Sequence, residues 1–527
     1  MFKAIFNYSW SSNMIRVGVD VGGTNTDAVI MEGKKYLGGI KCPTTPDILT
    51  GVENSIRGAL TEAKTNPSKV DVLIVGTTHF VNALVQRTNL AKTGLIRLCL
   101  PSGSSILPFA DWPKSLIDGM GGLSRLVKGG YEMDGSEISQ LDPEELINAA
   151  KELSNLGCKQ IAISSVFATV RGDMEQEALE ILTKALPNLS ITLSKSIGGM
   201  GLLERENAAI INASLKPLAS EVVDSFKLLQ NNLKLSCPMF FTRNDGTLIE
   251  AAEVIELPVL TFACGPTNSM RGAAFLSGLN NALVVDVGGT TTDVGEVKDG
   301  FPRLAGTSVM VADVRTNFSM PDVISIGLGG GSIVSSEDPL SIGPVSVGHE
   351  LPQRAKVFNG DTLTATDIAV AAGRCKIGDK KAPSLSSLDK LIEIMDKMIS
   401  DKVARARTSN TVIPVIGVGG GSVMMPSKVD GLEVICPPHN DLANAVGAAI
   451  AQVSGQVSRV VLVDENIDRD SAIKEVTEEA KKLAVARHAD PKTISVLTVS
   501  DIPLSYLPGN NLLINVTVVG DLLMETN

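Results

Sequence analysis

The stretch IRVGVDVGGTNTDAVIM (Ile15–Met31) returns in altered form as LVVDVGGTTTDVGEV (Leu283–Val297). Each copy is an apolar strand ending in Asp, then Val-Gly-Gly-Thr, two small polar residues, a second Asp and a second apolar strand. Gly22, Gly23, Gly288 and Gly289 carry no Cβ, so backbone N–H groups can close on an anion and the chain can turn with positive φ. Thr24, Thr26, Thr290 and Thr291 add hydroxyl donors for phosphate oxygens. Asp20 and Asp286 repel phosphate directly, but they can hold Mg²⁺ through its waters or orient an attacking hydroxyl or water. The pattern predicts two phosphate-binding hairpins. The alternative is a pair of ordinary Gly-turn hairpins, and the repetition, with Asp at both ends of each copy, weighs against it.

The bulk of the chain narrows the setting. A length of 527 residues suits two or three domains. Hydrophobic residues at 44% and charged residues at 20% indicate a globular chain. The net charge of −11 argues against a nucleic-acid surface, which needs a basic face. Seven scattered cysteines without a C-x-x-C pair read as free thiols in a reducing compartment. Four histidines without an H-x-x-x-H pair argue against a zinc site. No apolar run has the length of a membrane helix. The cytoplasm is the expected location, with residues 1–14 as a disordered extension.

Strands and helices alternate along the chain, which predicts an α/β layer fold. Helices are expected over Asp47–Lys64, Phe80–Arg87, Asp142–Leu156, Asp173–Ala185 and Leu388–Ala406. Strands are expected over Val70–Val75, Leu95–Leu100, Gln160–Val166, Ser190–Ser194 and Val412–Ile416. Pro101–Tyr131 reads as loop. Leu203–Leu233 reads as a long helix, kinked at Pro217, that crosses between the two halves. Asp441–Val453 reads as a small-residue helix. Arg459–Asn527 carries one charged helix and two strands, a small third domain or a cover.

Two hairpins followed by a late strand–GGG–helix element resemble the ATPase superfamily of sugar kinases, actin and heat-shock ATPases. That resemblance implies a two-lobed actin-like fold of duplicated ribonuclease H-like domains, here with a small C-terminal α+β domain. It places ATP in the cleft and Gly419, Gly420 and Gly421 beside the adenosine, although a Gly-rich turn can equally be a bare loop. Within the superfamily the chain is similar to the hydantoinase A / 5-oxoprolinase family over nearly its whole length. The motifs that carry this are DVGGTNTD (Asp20–Asp27), GTTHFVNALVQR (Gly76–Arg87), AKTGLI (Ala91–Ile96), ERENAAIINASL (Glu204–Leu215) and FACGPTNSMRGA (Phe262–Ala273). They continue in the same order with DVGGTTTD (Asp286–Asp293), IGLGGGSI (Ile326–Ile333), ATD (Ala365–Asp367), GVGGGS (Gly417–Ser422) and IPLSYLPGN (Ile502–Asn510).

The resemblance implies domains over 15–202, 203–456 and 457–527. It implies phosphoryl transfer from ATP to the oxygen of a cyclic amide of hydantoin or 5-oxoproline type, with Mg²⁺ as cofactor. The activated ring is then opened with a hydantoinase B-type partner subunit, in an oligomer. Asp20 and Asp286 become the catalytic and metal-holding residues. Thr77, Thr78 and Asn82 fall on the substrate side of the cleft, and Arg205 can neutralise a substrate carboxylate or phosphate. Asp322 and Asp367 match acidic positions of the family. Alternatives stay open: a helix cap for Asn82, an ion pair with Glu204 or Glu206 for Arg205, and turn caps for Asp322 and Asp367. Two other activities also stay open, a ketone carboxylase subunit and a non-catalytic nucleotide-binding regulator. The sequence departs from the family at Ile324, where many members have His in Asp-x-His-Thr, and at Cys264–Ser269, where SGPAAG is common.

Overall fold

The computed structural model describes residues 14–45, 47–306, 308–378, 385–409, 411–464, 467–505 and 509–524. The expected extension 1–14 lies outside them except for Met14, as do Pro46 of the helix-start signal and the middle of IPLSYLPGN.

Each hairpin seeds a sheet. Ile15–Val21 pairs antiparallel with Asn25–Glu32, which pairs with Lys35–Pro43, while Val72–Thr77 lies parallel on the other side of Ile15–Val21. In the second lobe Ala282–Val287 pairs with Thr292–Lys298 and has Val415–Val418 parallel beside it. The duplication seen in the sequence therefore extends to the neighbouring strand. Gly76 pairs with Asp20 and Val418 pairs with Asp286, so Thr77–Thr78 and Gly419–Gly420 leave their sheets at equivalent places. The near-continuous apolar runs of these strands match their burial on both faces.

Among the described residues the first sheet has nine strands, the last of them supplied by residues 452–520. Met239–Thr242 and Thr247–Glu250 extend it beyond Val72–Thr77. Gln452–Val463, Asn510–Gly520 and Ser495–Pro503 then complete it. The expected C-terminal α+β segment thus contributes its two strands to this sheet, with the helix Arg469–Ala486 packed over them.

Three expectations are corrected. Leu202–Leu233 is one helix with Pro217 inside it, but it returns into the first sheet and does not cross between lobes. The crossing elements are Cys264–Ser277, which leads into the second sheet, and Ala443–Ala449, which leads back to the first. The second of these stops at Ala449 because Gln452 already begins a strand. Pro101–Tyr131 is not all loop. It holds a helix, Lys114–Met120, and the strand Leu123–Lys128 at the edge of a four-stranded parallel sheet. Half-buried edge strands carry weak patterns, and L-S-R-L-V-K has no clean alternation.

The two crossing helices touch backbone to backbone. A Cβ on Gly272 would lie 1.9 Å from the Ala443 carbonyl oxygen, and one on Gly447 would lie 1.8 Å from that of Asn268. A second bridge between the lobes is the hairpin Val309–Val311/Val314–Thr316. Its Val309, Val311 and Val314 join the first lobe's apolar core, and the Arg315 carbonyl accepts from Asn207 Nδ2 at 2.9 Å.

Candidate active site

Both hairpin turns are closed by the same hydrogen bond. Gly22 N donates to Asn25 O at 3.0 Å, and Gly288 N to Thr291 O at 2.9 Å. None of the four turn glycines uses positive φ, contrary to expectation. What they supply is room: a Cβ on Gly23 would meet nothing within 4 Å, and one on Gly22 would press to 2.9 Å on Asn25 O. The tips face each other, since a Cβ on Gly289 would lie 3.0 Å from Thr24 Cγ2. Gly419 is fixed on two counts, by φ of +88° and by a Cβ position only 2.2 Å from Asp286 Oδ1.

Between the tips lies a cavity of about 450 Å³. Of the residues expected for nucleotide, metal and catalysis, it is lined by Asp20, Gly22, Gly23, Thr24, Asp286, Gly288, Gly289, Thr290, Thr291 and Gly419–Gly421. Thr26 is not among them. It is fully buried, with its hydroxyl 3.4 Å from that of Thr44. On the expected substrate side only Thr78 reaches the cavity. Thr77 is buried behind it, its N–H donating to Cys264 Sγ at 3.1 Å. Asn82 is exposed and donates to the Thr78 hydroxyl at 3.3 Å; the helix cap is Thr78 itself.

Arg205 is elsewhere. Its guanidinium is fully buried and donates to Ser165 O at 2.6 Å, Gly199 O at 3.0 Å, Met200 O at 3.2 Å and Ser194 Oγ at 3.0 Å. Neither expected partner takes it, because Glu206 forms a two-point pair with buried Arg97 at 2.6 and 2.7 Å. Arg205 clamps the long helix to the four-stranded sheet. Arg205→Ala should lower stability by about 3 kcal/mol, by leaving those carbonyls unpaired. Nucleotide affinity of the folded protein should stay within about twofold, readable by a thermal melt and titration calorimetry. The other open alternatives close simply. Asp367 completes a capping box with Thr364, and Asp322 pairs with Arg303 at 2.5 Å. Ile324 packs against the second lobe's core.

Several site residues were not assigned from the sequence. Asp27 lies directly across the strand pair from Asp20, and Asp293 across from Asp286, so each hairpin presents two facing carboxylates. Both were visible as the second Asp of each motif. Lys41 pairs with Asp27. Asn268 and Asn444, one on each crossing helix, donate to Asp20 Oδ1 at 3.5 Å and Oδ2 at 3.3 Å. Ser269, next to Asn268, lies beside Asp286. One helix therefore reaches the carboxylates of both lobes through adjacent residues. Leu351, Phe358, Ile377 and Val423 of the second lobe give the cavity an apolar portion.

Burial raises all four carboxylates. Asp20 is pushed up to about 7 by burial and then by Asp27, against its two Asn donors. Asp27 and Asp293 rise to about 6, chiefly by burial, and Asp286 rises for the same reason. A raised folded-state value means the charge costs stability. For Asp20 that cost is absent below the unfolded value near 4 and complete once pH has passed about 7. The ligand-free protein should therefore melt roughly 2–4 °C higher at pH 6 than at pH 8. Mg-ATP should reduce that difference, which a pair of melting curves will read.

This crowd of carboxylates has the chemistry of a cation site. Among the described residues Asp27 Oδ1 is buried without a partner, and one lysine is the only Lys or Arg side chain on the cavity wall. Among the described residues no three His, Cys, Asp or Glu side chains cluster as a complete metal cage. That fits a divalent ion held by one or two carboxylates, with waters and phosphate oxygens completing its shell. The open glycine tips fit the phosphates.

Comparison with known proteins decides the family. The hydantoinase/oxoprolinase N-terminal region matches residues 16–186, and the hydantoinase/oxoprolinase family matches residues 205–379. The chain belongs to the hydantoinase/oxoprolinase family. This family member is 26% identical over 386 residues to caprolactamase subunit alpha of Pseudomonas jessenii, covering 69% of this chain and 55% of the relative. It is 25% identical over 396 residues to the acetophenone carboxylase gamma subunit of Aromatoleum aromaticum, covering 68% of this chain and 53% of the relative. The chain thus spans about half the length of these two curated relatives. Two solved structures share its fold. The ATP-dependent caprolactamase from Pseudomonas jessenii superposes with a TM-score of 0.76 at 19% identity, covering 96% of this chain and 88% of the other. A nucleotide-free acetone carboxylase superposes with a TM-score of 0.70 at 16% identity, covering 97% and 88%. Among the described residues no helix is long and apolar enough to cross a membrane.

Proposed function

We propose that this chain is the ATP-dependent subunit of a hydrolase that phosphorylates, and so activates, a cyclic amide for ring opening. The observation that carries this is the facing pair of glycine hairpins, each with two carboxylates, around one cavity. Amide resonance makes a lactam a poor electrophile. Moving the γ-phosphoryl group onto its carbonyl oxygen, with ADP leaving, creates a leaving group that water can then displace.

The chain's share of this is positioning and charge stabilisation. Backbone N–H groups and hydroxyls at Gly22–Thr24 and Gly288–Thr291 hold the phosphates, and Gly419–Gly421 with the apolar portion hold the adenosine. Asp20 and Asp286 would hold Mg²⁺, which when bound offsets phosphate charge. Thr78 faces the acceptor. Ring opening falls to a partner subunit of hydantoinase B type. A carboxylase subunit, phosphorylating a ketone as its enol, is the second reading. It is favoured by the 25% identity to the acetophenone carboxylase subunit, close to the 26% to the caprolactamase subunit.

The test is ADP release by the purified chain with Mg-ATP, alone and with 5-oxoproline, hydantoin, caprolactam or simple ketones. Stimulation by a cyclic amide supports the first reading and stimulation by a ketone the second. ATP binding with no turnover under any condition, a B-type subunit included, overturns both in favour of a nucleotide-binding regulator.

A further inference from the structure

Lys41 occupies a position that its ion pair with Asp27 does not fully account for. Its strand, Lys35–Pro43, belongs to the first lobe. Its stem nevertheless lies against the second lobe: a Cβ on Gly420 would stand 3.7 Å from Lys41 Cε and 3.9 Å from Cδ. Its charge is felt both at Asp27 and, across the cleft, at Asp286. The side chain thus spans the gap between the two hairpins, and about a quarter of it is open to the cavity.

The charge balance of the cavity sharpens this. Asp20, Asp27, Asp286 and Asp293 all line it, together with Asp441, and among the described residues Lys41 is the only Lys or Arg side chain that lines it. A triphosphate entering such a wall meets mostly like charge. The glycine tips offer neutral donors, and among the described residues Lys41 is the Lys or Arg side chain on the wall that adds a positive charge. A lysine suits this task, since its ammonium is a compact charge on a flexible four-carbon stem with three donors. It can swing without moving its backbone.

We propose that Lys41 is a catalytic residue of the site described above: on nucleotide binding its ammonium shifts from Asp27 to the terminal phosphates, between the two hairpins. There it offsets the charge of the phosphoryl group being transferred, while its stem keeps contact with Gly420. Asp27 in this scheme is the parking site for the ammonium in the ligand-free cleft. The inference rests on the nucleotide reading under "Proposed function".

The competing explanation is purely structural, in which Lys41 exists to neutralise buried Asp27. Four proteins separate the two: the unaltered full-length chain, Lys41→Met, Lys41→Arg, and the double variant Lys41→Met/Asp27→Asn. Each is titrated with ATP, ADP and adenosine in Mg²⁺ by calorimetry and melted without ligand. We expect Lys41→Met to lose stability and to bind ATP about 10- to 100-fold more weakly, with adenosine affinity unchanged. Lys41→Arg should keep most of the ATP affinity. The double variant should regain the melting temperature but not the ATP affinity. Recovery of both would make Lys41 a structural counter-ion and overturn the proposal. If Lys41→Met does not fold, the double variant alone still decides it. An unaltered chain that binds adenosine and ATP equally overturns the phosphate-site reading itself, a result distinct from failure of Lys41 alone.

Discussion

Asp286→Asn should leave a folded chain, more heat-stable than the original without ligand, whose ATP turnover has fallen by about 10²- to 10³-fold or more. The two halves of this expectation share one cause. Asp286 is half-buried on the cavity wall, with Ser269 and the Lys41 charge beside it, and burial holds its carboxyl above the usual range. Its negative charge therefore works against folding at neutral pH, and an isosteric amide removes that cost. The same charge, turned to the cavity beside Gly288–Thr291, is what a magnesium-bound phosphate requires. A melt without ligand should rise and the shift produced by Mg-ATP should shrink, while ADP release collapses. Turnover within a few-fold of the original would remove Asp286 from the chemistry.

Gly447→Ala should be severely destabilising although it replaces Gly by the best helix former. Propensity alone would favour alanine by about 1 kcal/mol. The added methyl would, however, stand 1.8 Å from the Asn268 carbonyl oxygen, a backbone atom of the other crossing helix that cannot swing aside. Overpacking of this kind costs about 3 kcal/mol or more. It would also displace Asn268 from Asp20 Oδ1, where the 3.5 Å contact is already long. We expect aggregation on expression or a melting point lowered by roughly 3 °C or more, with weakened nucleotide binding in what folds. Gly119→Ala is the control, since a Cβ there meets nothing within 4 Å in a helix of the same length, Lys114–Met120. It should be neutral or slightly stabilising. Equal behaviour of the two variants would show that the helices can part without cost.

What the sequence disclosed, and what it hid, follows from how local each feature is. The hairpins are continuous segments whose composition encodes both the turn and its chemistry, so Asp20, Gly22–Thr24, Asp286 and Gly288–Thr291 were legible and fall on one cavity. Asp27 and Asp293 were as visible as their partners, but only the ladder register shows each facing the first Asp across the strands. Lys41 and Asn444 reach the site from outside the quoted motifs, where an isolated Lys or Asn has no pattern to betray it, whereas Asn268 lies within FACGPTNSMRGA but only the packing of its helix shows it reaching Asp20. Arg205 misled for the opposite reason. It sits in a motif, yet four backbone and hydroxyl acceptors consume it. The long helix was clear as a helix, while its return to the first sheet depends on Met239–Thr242 pairing with Val72–Thr77, a long-range choice with no local mark.

The way both ends of the chain share one sheet has a consequence for synthesis. Residues 93–193 supply all four strands of their own parallel sheet, so that unit can close while later residues are still on the ribosome. The nine-stranded sheet has no such freedom. Its strand Thr247–Glu250 waits for Gln452–Val463, and that strand waits for Asn510–Gly520. Until those segments emerge, the lobe that carries the first hairpin has an open, apolar strand edge, the surface on which nascent chains pair wrongly. The cleft is thus among the last parts to be finished.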